Sequence, residues 1–515
     1  MDQSGIQTVP VVSLNADILI LIVEHIRGPQ YDGSDLLVRS TLAALGRTCK
    51  AISKTALNAL WSSLRDFRPI RHLLKCAAEG CRPPKKQAEI KTTQWRLFAK
   101  YRHRVRSIAI RARPSTKFDL FFLAFRGHTP VFPNLERLYW SISDMNDIIL
   151  LRAFIAPGLH TLSITSRIPI PDVFPIVTDL ESDELYANTM GEICEVASGL
   201  RKLSLHQFWP FSHDSSRLMM QAISTNAQQL EELCVDTTLL ASPYTLHDLS
   251  SLPRLHTLSI RDFCSLSHYP PVVFFKPVEE GFSSLHTLRL ALPIRYAHDV
   301  LHGLPRCSLT TVSVVSKTFG GYVDLEQFSH KFGDTLWDVH LCVDCLNPEN
   351  KTSLSMDHLA PLTSLNLAHL HLNCSLLMSD DVCAQLALSL PRIETLSLRT
   401  NLRTSRTEDA DKVTTLQALV PFAHHCRKLR ALTIGTQVIF EEWGYIELPA
   451  DYSPSPLKEL NLSVRAPQDM LIEGVAFFIM RLFPNLELVG PGPENGSSGD
   501  VKGLLGLIAN AVGVF

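Results

Sequence analysis

Leu159-His160-Thr161-Leu162-Ser163-Ile164 decides how this chain folds, because its pattern, apolar-x-x-apolar-x-apolar, returns along most of the length. It recurs at Leu200, Leu203, Leu205; at Leu230, Leu233, Val235; at Leu255, Leu258, Ile260; at Leu285, Leu288, Leu290; and at Leu309, Val312, Val314. Later copies open at Leu336, Leu367, Ile393, Leu429 and Leu457, weaker ones at Val105 and Leu135, and a truncated one at Leu486. Those fourteen starts between 105 and 486 leave thirteen intervals over 381 residues, a mean of roughly 29. The last two apolar positions of a copy alternate with a polar one, as in a short strand with one buried face. Pro133, Pro157, Pro253, Pro391 and Pro484 each stand two residues before a copy, where proline ends a helix and favours extended chain. Between copies, Val382, Leu386, Ala387 and Leu390 share a helical face, as do Val475, Phe478, Ile479, Leu482 and Phe483. One strand and one helix cannot bury their own apolar faces, but stacked neighbours can. The expected fold is therefore α/β: a solenoid with a parallel sheet on its concave side and helices outside. Intervals this regular weigh against an ordinary α/β domain.

Composition agrees. With 515 residues, 45% hydrophobic and 19% charged, the chain is too long for one ordinary domain and apolar enough for a continuous core. A net charge of -2 sets up no field toward nucleic acid or an acidic membrane. Twelve scattered cysteines read as thiols in a reducing compartment rather than a disulfide framework. Neither Ile18 to Val23 nor the apolar end, Gly503 to Phe515, is long enough to span a bilayer, and no signal peptide is recognisable. The expectation is a soluble protein of the cytoplasm, the nucleus or both, with neither nucleic acid nor membrane as partner.

Residues 14–64 follow a different, helical pattern. Leu14 opens a helix that Asn15 is placed to cap, with Ile18, Leu19 and Ile22 on one apolar stripe. A second helix carries Leu42, Leu45, Cys49 and Ile52, and a third carries Ala56, Leu57, Leu60, Trp61 and Leu64. The division expected is a flexible terminus 1–13, the helical module 14–64, a basic helical connector 65–100, the repeat array 101–490, and a linker with apolar tail 491–515.

The repeats resemble the leucine-rich-repeat family over about residues 100–490. Asn401 stands where that family has its loop asparagine, whereas Phe208, Phe263 and Pro293 occupy the place in other copies. The N-terminal module resembles the F-box family at Leu14, Ile18, Leu19, Ile22, Leu45, Cys49, Lys50, Leu60, Trp61 and Leu64. Asn15 and Asp17 replace the family's proline and glutamate. The joint resemblance implies a substrate-receptor subunit of a cullin-type ubiquitin ligase. It implies docking on a Skp-family adaptor through Leu14, Ile18, Leu19, Ile22, Leu45, Cys49 and Trp61, and a protein substrate on the array. Such a receptor acts by raising the local concentration of substrate, so it needs no catalytic residue and no cofactor. Two other readings stay open: a scaffold whose N-terminal helices only cap the array, and an enzyme with an unrecognised site.

No phosphate loop, nucleophile elbow or zinc-protease motif occurs. Cys342 and Cys345 form a lone C-x-x-C without a second pair, Cys76 and Cys81 are weaker still, and His424-His425-Cys426 closes a helix, so no metal site is expected. Twelve Lys or Arg and one acid lie between Arg82 and Lys117, either a solvated surface near the module, or a site for an acidic partner or a nuclear signal. The polar strand positions are mostly Ser and Thr, as in Thr161 and Ser163 or Thr311 and Ser313. Two neighbouring copies differ, with Asp338 and His340, then His369 and His371. Strands about 4.8 Å apart should join these four into a patch, either chance surface histidines or a substrate site whose charge changes between about pH 5 and 8.

Overall fold

Each copy of the repeat becomes a strand. The computed structural model describes residues 16–28, 35–48, 50–70, 92–110, 130–143, 145–166, 180–207, 213–240, 242–262, 275–316, 325–343, 356–373, 379–399, 414–437, 454–465 and 472–491. They belong to two compact units, Met1–Leu230 and Glu231–Phe515. Among the described residues no helix is long and apolar enough to cross a membrane.

The first unit opens with three helices, α1 (Ala16–Arg27), α2 (Leu36–Thr48) and α3 (Lys50–Ser62). The chain then runs through β1 (Ser63–Leu64), α4 (Thr92–Arg102), β2 (Ser107–Ile110), β3 (Arg137–Ile142), α5 (Met145–Leu151), β4 (Thr161–Ser166), α6 (Leu180–Val196), β5 (Lys202–His206) and α7 (His213–Asn226). Strands β1 to β5 pair in chain order, all parallel. Strand β1 was not foreseen. It lies at the end of the helical module and adds a strand ahead of the first recognisable repeat, with Ser63 opposite Ser107.

The second unit repeats the arrangement with β6 (Glu232–Asp236), α8 (Thr245–Ser250), β7 (Thr257–Arg261), β8 (Thr287–Ala291), α9 (Ile294–Gly303), β9 (Thr311–Ser316), α10 (Leu325–Phe332), β10 (Asp338–Val343) and α11 (Met356–Thr363). It ends with β11 (His369–Asn373), α12 (Asp380–Ser389), β12 (Thr395–Arg399), α13 (Leu419–His425), β13 (Ala431–Gln437), β14 (Glu459–Arg465), α14 (Ile472–Leu482) and β15 (Leu488–Pro491). Strands β6 to β15 are again parallel and in chain order. Each unit is thus an α/β, solenoid-like stack.

The three apolar positions form the core. Leu159, Leu162 and Ile164 are fully buried, as are Leu255, Leu258 and Ile260, while Thr161 and Ser163 stay partly exposed on the other face. Burying each such side chain contributes about 1.5–3 kcal/mol. The helices supply the opposite wall: Cys383, Leu386 and Ala387 of α12 are buried, and Ser379 caps that helix by accepting from the amide of Val382. On α14, Val475, Ile479 and Leu482 are buried.

A second repeat runs through the backbone. The residue after the first apolar position of a copy offers one carbonyl to two amides of the next copy. Arg106 O accepts from Glu136 N and Arg137 N at 2.8 and 2.9 Å, and Glu136 O from His160 N and Thr161 N at 3.0 and 3.1 Å. Thr310 O serves Trp337 and Asp338, Trp337 O serves Ala368 and His369, and Ala368 O serves Glu394 and Thr395. A carbonyl has two lone pairs, so both bonds are made without competition.

One loop depends on glycine. Gly281 has φ +132, and a Cβ there would meet Ser250 Cβ at 2.5 Å and its carbonyl oxygen at 3.0 Å, the oxygen that accepts from Phe282 N. Gly281→Ala should lower the stability of the second unit by about 2 kcal/mol or more, read as a shifted midpoint in chemical denaturation.

Candidate functional site

The three N-terminal helices have a core of their own. Leu19 and Val23 of α1 pack with Leu42, Ile52 and Ala56, and Ile26, Val38, Leu45, Ala59 and Leu60 are partly buried against them. Because α1 is apolar almost all round, the sequence did not reveal which stripe faces inward. The i, i+4, i+7 set Leu19, Val23 and Ile26 does. Leu19, expected on a docking stripe with Ile18 and Ile22, lies in this core at 5% exposure, because it faces α2 and α3. Ile18, Ile20, Leu21 and Ile22 point outward, at 46%, 41%, 63% and 40% exposure. Leu21 was missed; it sits three residues after Ile18, on the same face. Leu36 and Leu37 at the start of α2 are also exposed, and Asp35 accepts from the amides of Leu37 and Val38 there. Leu14 and Cys49 lie outside the described residues.

Trp61 looks inward toward the array: its ring lies 4.7 Å from that of Tyr101 on α4. Arg104 Nη1 donates to Asn58 Oδ1 at 2.7 Å and to the Lys54 carbonyl at 3.3 Å, and Arg106 N donates to Ser62 O. Arg106 also forms an ion pair with Glu136. Two arginines of the basic stretch therefore serve the junction between module and strands; residues 82–91 and 111–117 lie outside the described residues.

In the second unit, β10 and β11 bring the four expected residues together. Asp338 stands opposite His369, and His340 opposite His371. The His340 and His371 rings are 5.5 Å apart, edge to face, and His340 Nδ1 is 3.4 Å from Ser313 Oγ on β9. Trp337 joins them, exposed at 48% with its ring 5.5 Å from that of His369. Trp337 lies one residue before the strand, outside the alternating pattern that marks the other four. Parallel in-register pairing assembles the patch, since equivalent residues of successive copies fall side by side.

Among the described residues no group of three or more His, Cys, Asp and Glu is arranged to hold a metal ion. Cys345, Cys76, Cys81 and Asn401 lie outside the described residues, as does the side chain of Cys342. Cys426, after His424 and His425 at the end of α13, is buried, and its Sγ contacts the carbonyls of Ala387 and Leu390 in the preceding copy. Burial pushes the Cys194 and Cys426 thiols up to about 12 and Cys307 up to about 11, where burial outweighs nearby Lys331. Burial moves Cys383 in the same direction. A raised thiol pKa keeps the folded state protonated, so this contribution to stability is complete below the ordinary value near 9 and is lost as pH climbs toward 12. Peptide mapping after iodoacetamide treatment of the native chain at pH 8 should find Cys194, Cys383 and Cys426 unmodified, and modified once denaturant is added.

No known protein family matches this chain, and a search of characterised proteins returns no significant match.

Proposed function

We propose that this chain is an interaction protein of the F-box and leucine-rich-repeat kind. In this reading it is the substrate-receptor subunit of a cullin-type ubiquitin ligase, docking on a Skp-family adaptor and holding a protein substrate on its repeat array. The observation that carries the reading is the outer face of α1. Ile18, Leu21 and Ile22 are exposed on a helix whose opposite face is already committed to a core. An apolar helix face left to solvent costs solubility unless a partner covers it. The resemblance at Ile18, Ile22, Leu45, Leu60 and Trp61 names that partner as the adaptor. No catalytic group is required of the chain, because the conjugating enzyme performs the transfer and the receptor supplies proximity.

A second reading has its own support. Trp61 against Tyr101, and β1 paired with β2, tie the helices to the first strands as a cap, which a repeat array needs at its end. The inner residues serve as cap in both readings, and only the outer face of α1 separates them.

Ile18→Asp combined with Ile22→Asp should abolish co-purification of the Skp-family adaptor while far-UV circular dichroism stays unchanged, since both side chains are exposed. Undiminished co-purification of that variant would sink the receptor reading. Leu19→Asp should behave differently: it puts a carboxylate into the three-helix core, costs several kcal/mol, and unfolds the module as judged by proteolysis.

A further inference from the structure

At the strand entrances of the second unit, an exposed indole, two carboxylates and a one-carbon side chain stand on neighbouring copies. The residues that follow the first apolar position form a row, because the carbonyl of each binds the amide of the next: Thr310, Trp337, Ala368, Glu394 and Arg430. The backbones of Trp337 and Glu394 are therefore two strand spacings apart, about 10 Å, with Ala368 the residue between them in the row. In the neighbouring row Asp338 stands beside His369, whose ring meets that of Trp337. Neither the Asp338 nor the Glu394 carboxylate has a hydrogen bond or ion pair among the described residues, and Arg430 does not come within ion-pair distance of Glu394.

We propose that this notch receives a basic side chain, arginine or lysine, presented by a bound protein segment. The cation would lie over the Trp337 face, where the ring quadrupole attracts it, with Glu394 and Asp338 as counter-charges. Ala368, between Trp337 and Glu394 in the row, is short enough to leave room for it. An anionic guest would face two carboxylates at the same place. The inference rests on the reading of the array as a protein-holding surface, and it specifies the chemistry of what is held.

The three imidazoles give the notch a pH signature. Imidazole side chains change charge between about pH 5 and 8. Among the described residues the charged groups on neighbouring copies are Asp338 on β10, Arg289 on β8, and Glu394 and Arg430 ahead of β12 and β13. Strand β9 brings Thr311, Ser313 and Val315, none charged, and β12 brings Thr395, Ser397 and, level with Asn373, Arg399. Protonation therefore adds up to three positive charges beside a site built for a cation. Binding of a basic segment is therefore stronger at the upper end of the pH range in which imidazoles change charge, and weaker at its lower end. An acidic segment would show the opposite slope.

The test uses the full chain and two immobilised synthetic peptides, three arginines alternating with glycine and the same sequence with glutamate. Surface plasmon resonance at pH 7.5 should show binding to the arginine peptide only, about tenfold weaker at pH 5.5. Trp337→Ala and Glu394→Gln should each weaken it about fivefold or more at pH 7.5, with unchanged circular dichroism. His340→Gln with His371→Gln should keep the affinity at pH 7.5 and lose most of the pH dependence. Preference for the glutamate peptide, or equal binding by parent and the Trp337→Ala, Glu394→Gln double variant, would overturn the proposal. Adaptor co-purification, measured on the same preparations, tests the receptor reading separately: arginine-peptide binding without adaptor capture upholds the notch and removes only the ligase role.

Discussion

The structure depends on coupling between successive copies. A copy cannot bury Leu159, Leu162 and Ile164 alone, and it cannot satisfy the amides at its strand entrance alone. Both needs are met by the neighbour, through packing and through a carbonyl that accepts two amides at once. The leucines are interchangeable with other apolar residues, as Val312 and Val314 show, but the carbonyl has a single place, one residue after the first apolar position. That double acceptor fixes where each strand begins relative to the last. In-register pairing, and with it every row of side chains on the sheet, follows.

The N-terminal helices meet the array by the same means. Ser62 O accepts the amide of Arg106, continuing the ladder backward into the helical module, and Ser63 pairs with Ser107. Module and first strands are therefore one unit. This division of labour leaves α1 with an inner stripe used for the module core and an outer stripe with no use inside its own core. An outer stripe of this kind is what a docking partner requires, and it can be altered without touching the fold.

Register also decides the chemistry of the sheet. Short hydroxyl side chains at Thr287, Thr311, Thr395, Ser313 and Ser397 leave the surface low and polar over much of the second unit. Against them two ring pairs stand out, Trp337 with His369 and His340 with His371, each packed edge to face between two adjacent copies. Their meeting is a property of the ladder: each pair joins residues more than thirty positions apart, brought within ring contact because β10 and β11 are neighbours in step.

By itself the sequence determined the repeat, the strand at each copy and the helical character of the N-terminal module, since these rest on local periodicity that survives in any tertiary setting. It also placed Asp338 opposite His369 and His340 opposite His371, because equal offsets within parallel copies leave no freedom. What it could not determine was the inward stripe of α1, where apolar residues on every side give no contrast, and so Leu19 was grouped with Ile18 and Ile22. Nor did it reveal β1, whose two residues carry no periodicity and become a strand only because β2 offers an edge. The row containing Trp337, Ala368 and Glu394 likewise lay outside any strand pattern. Only the tertiary structure decided these points, because which face of a helix is buried, and which loop residues become neighbours, depends on what packs against them and not on their own spacing.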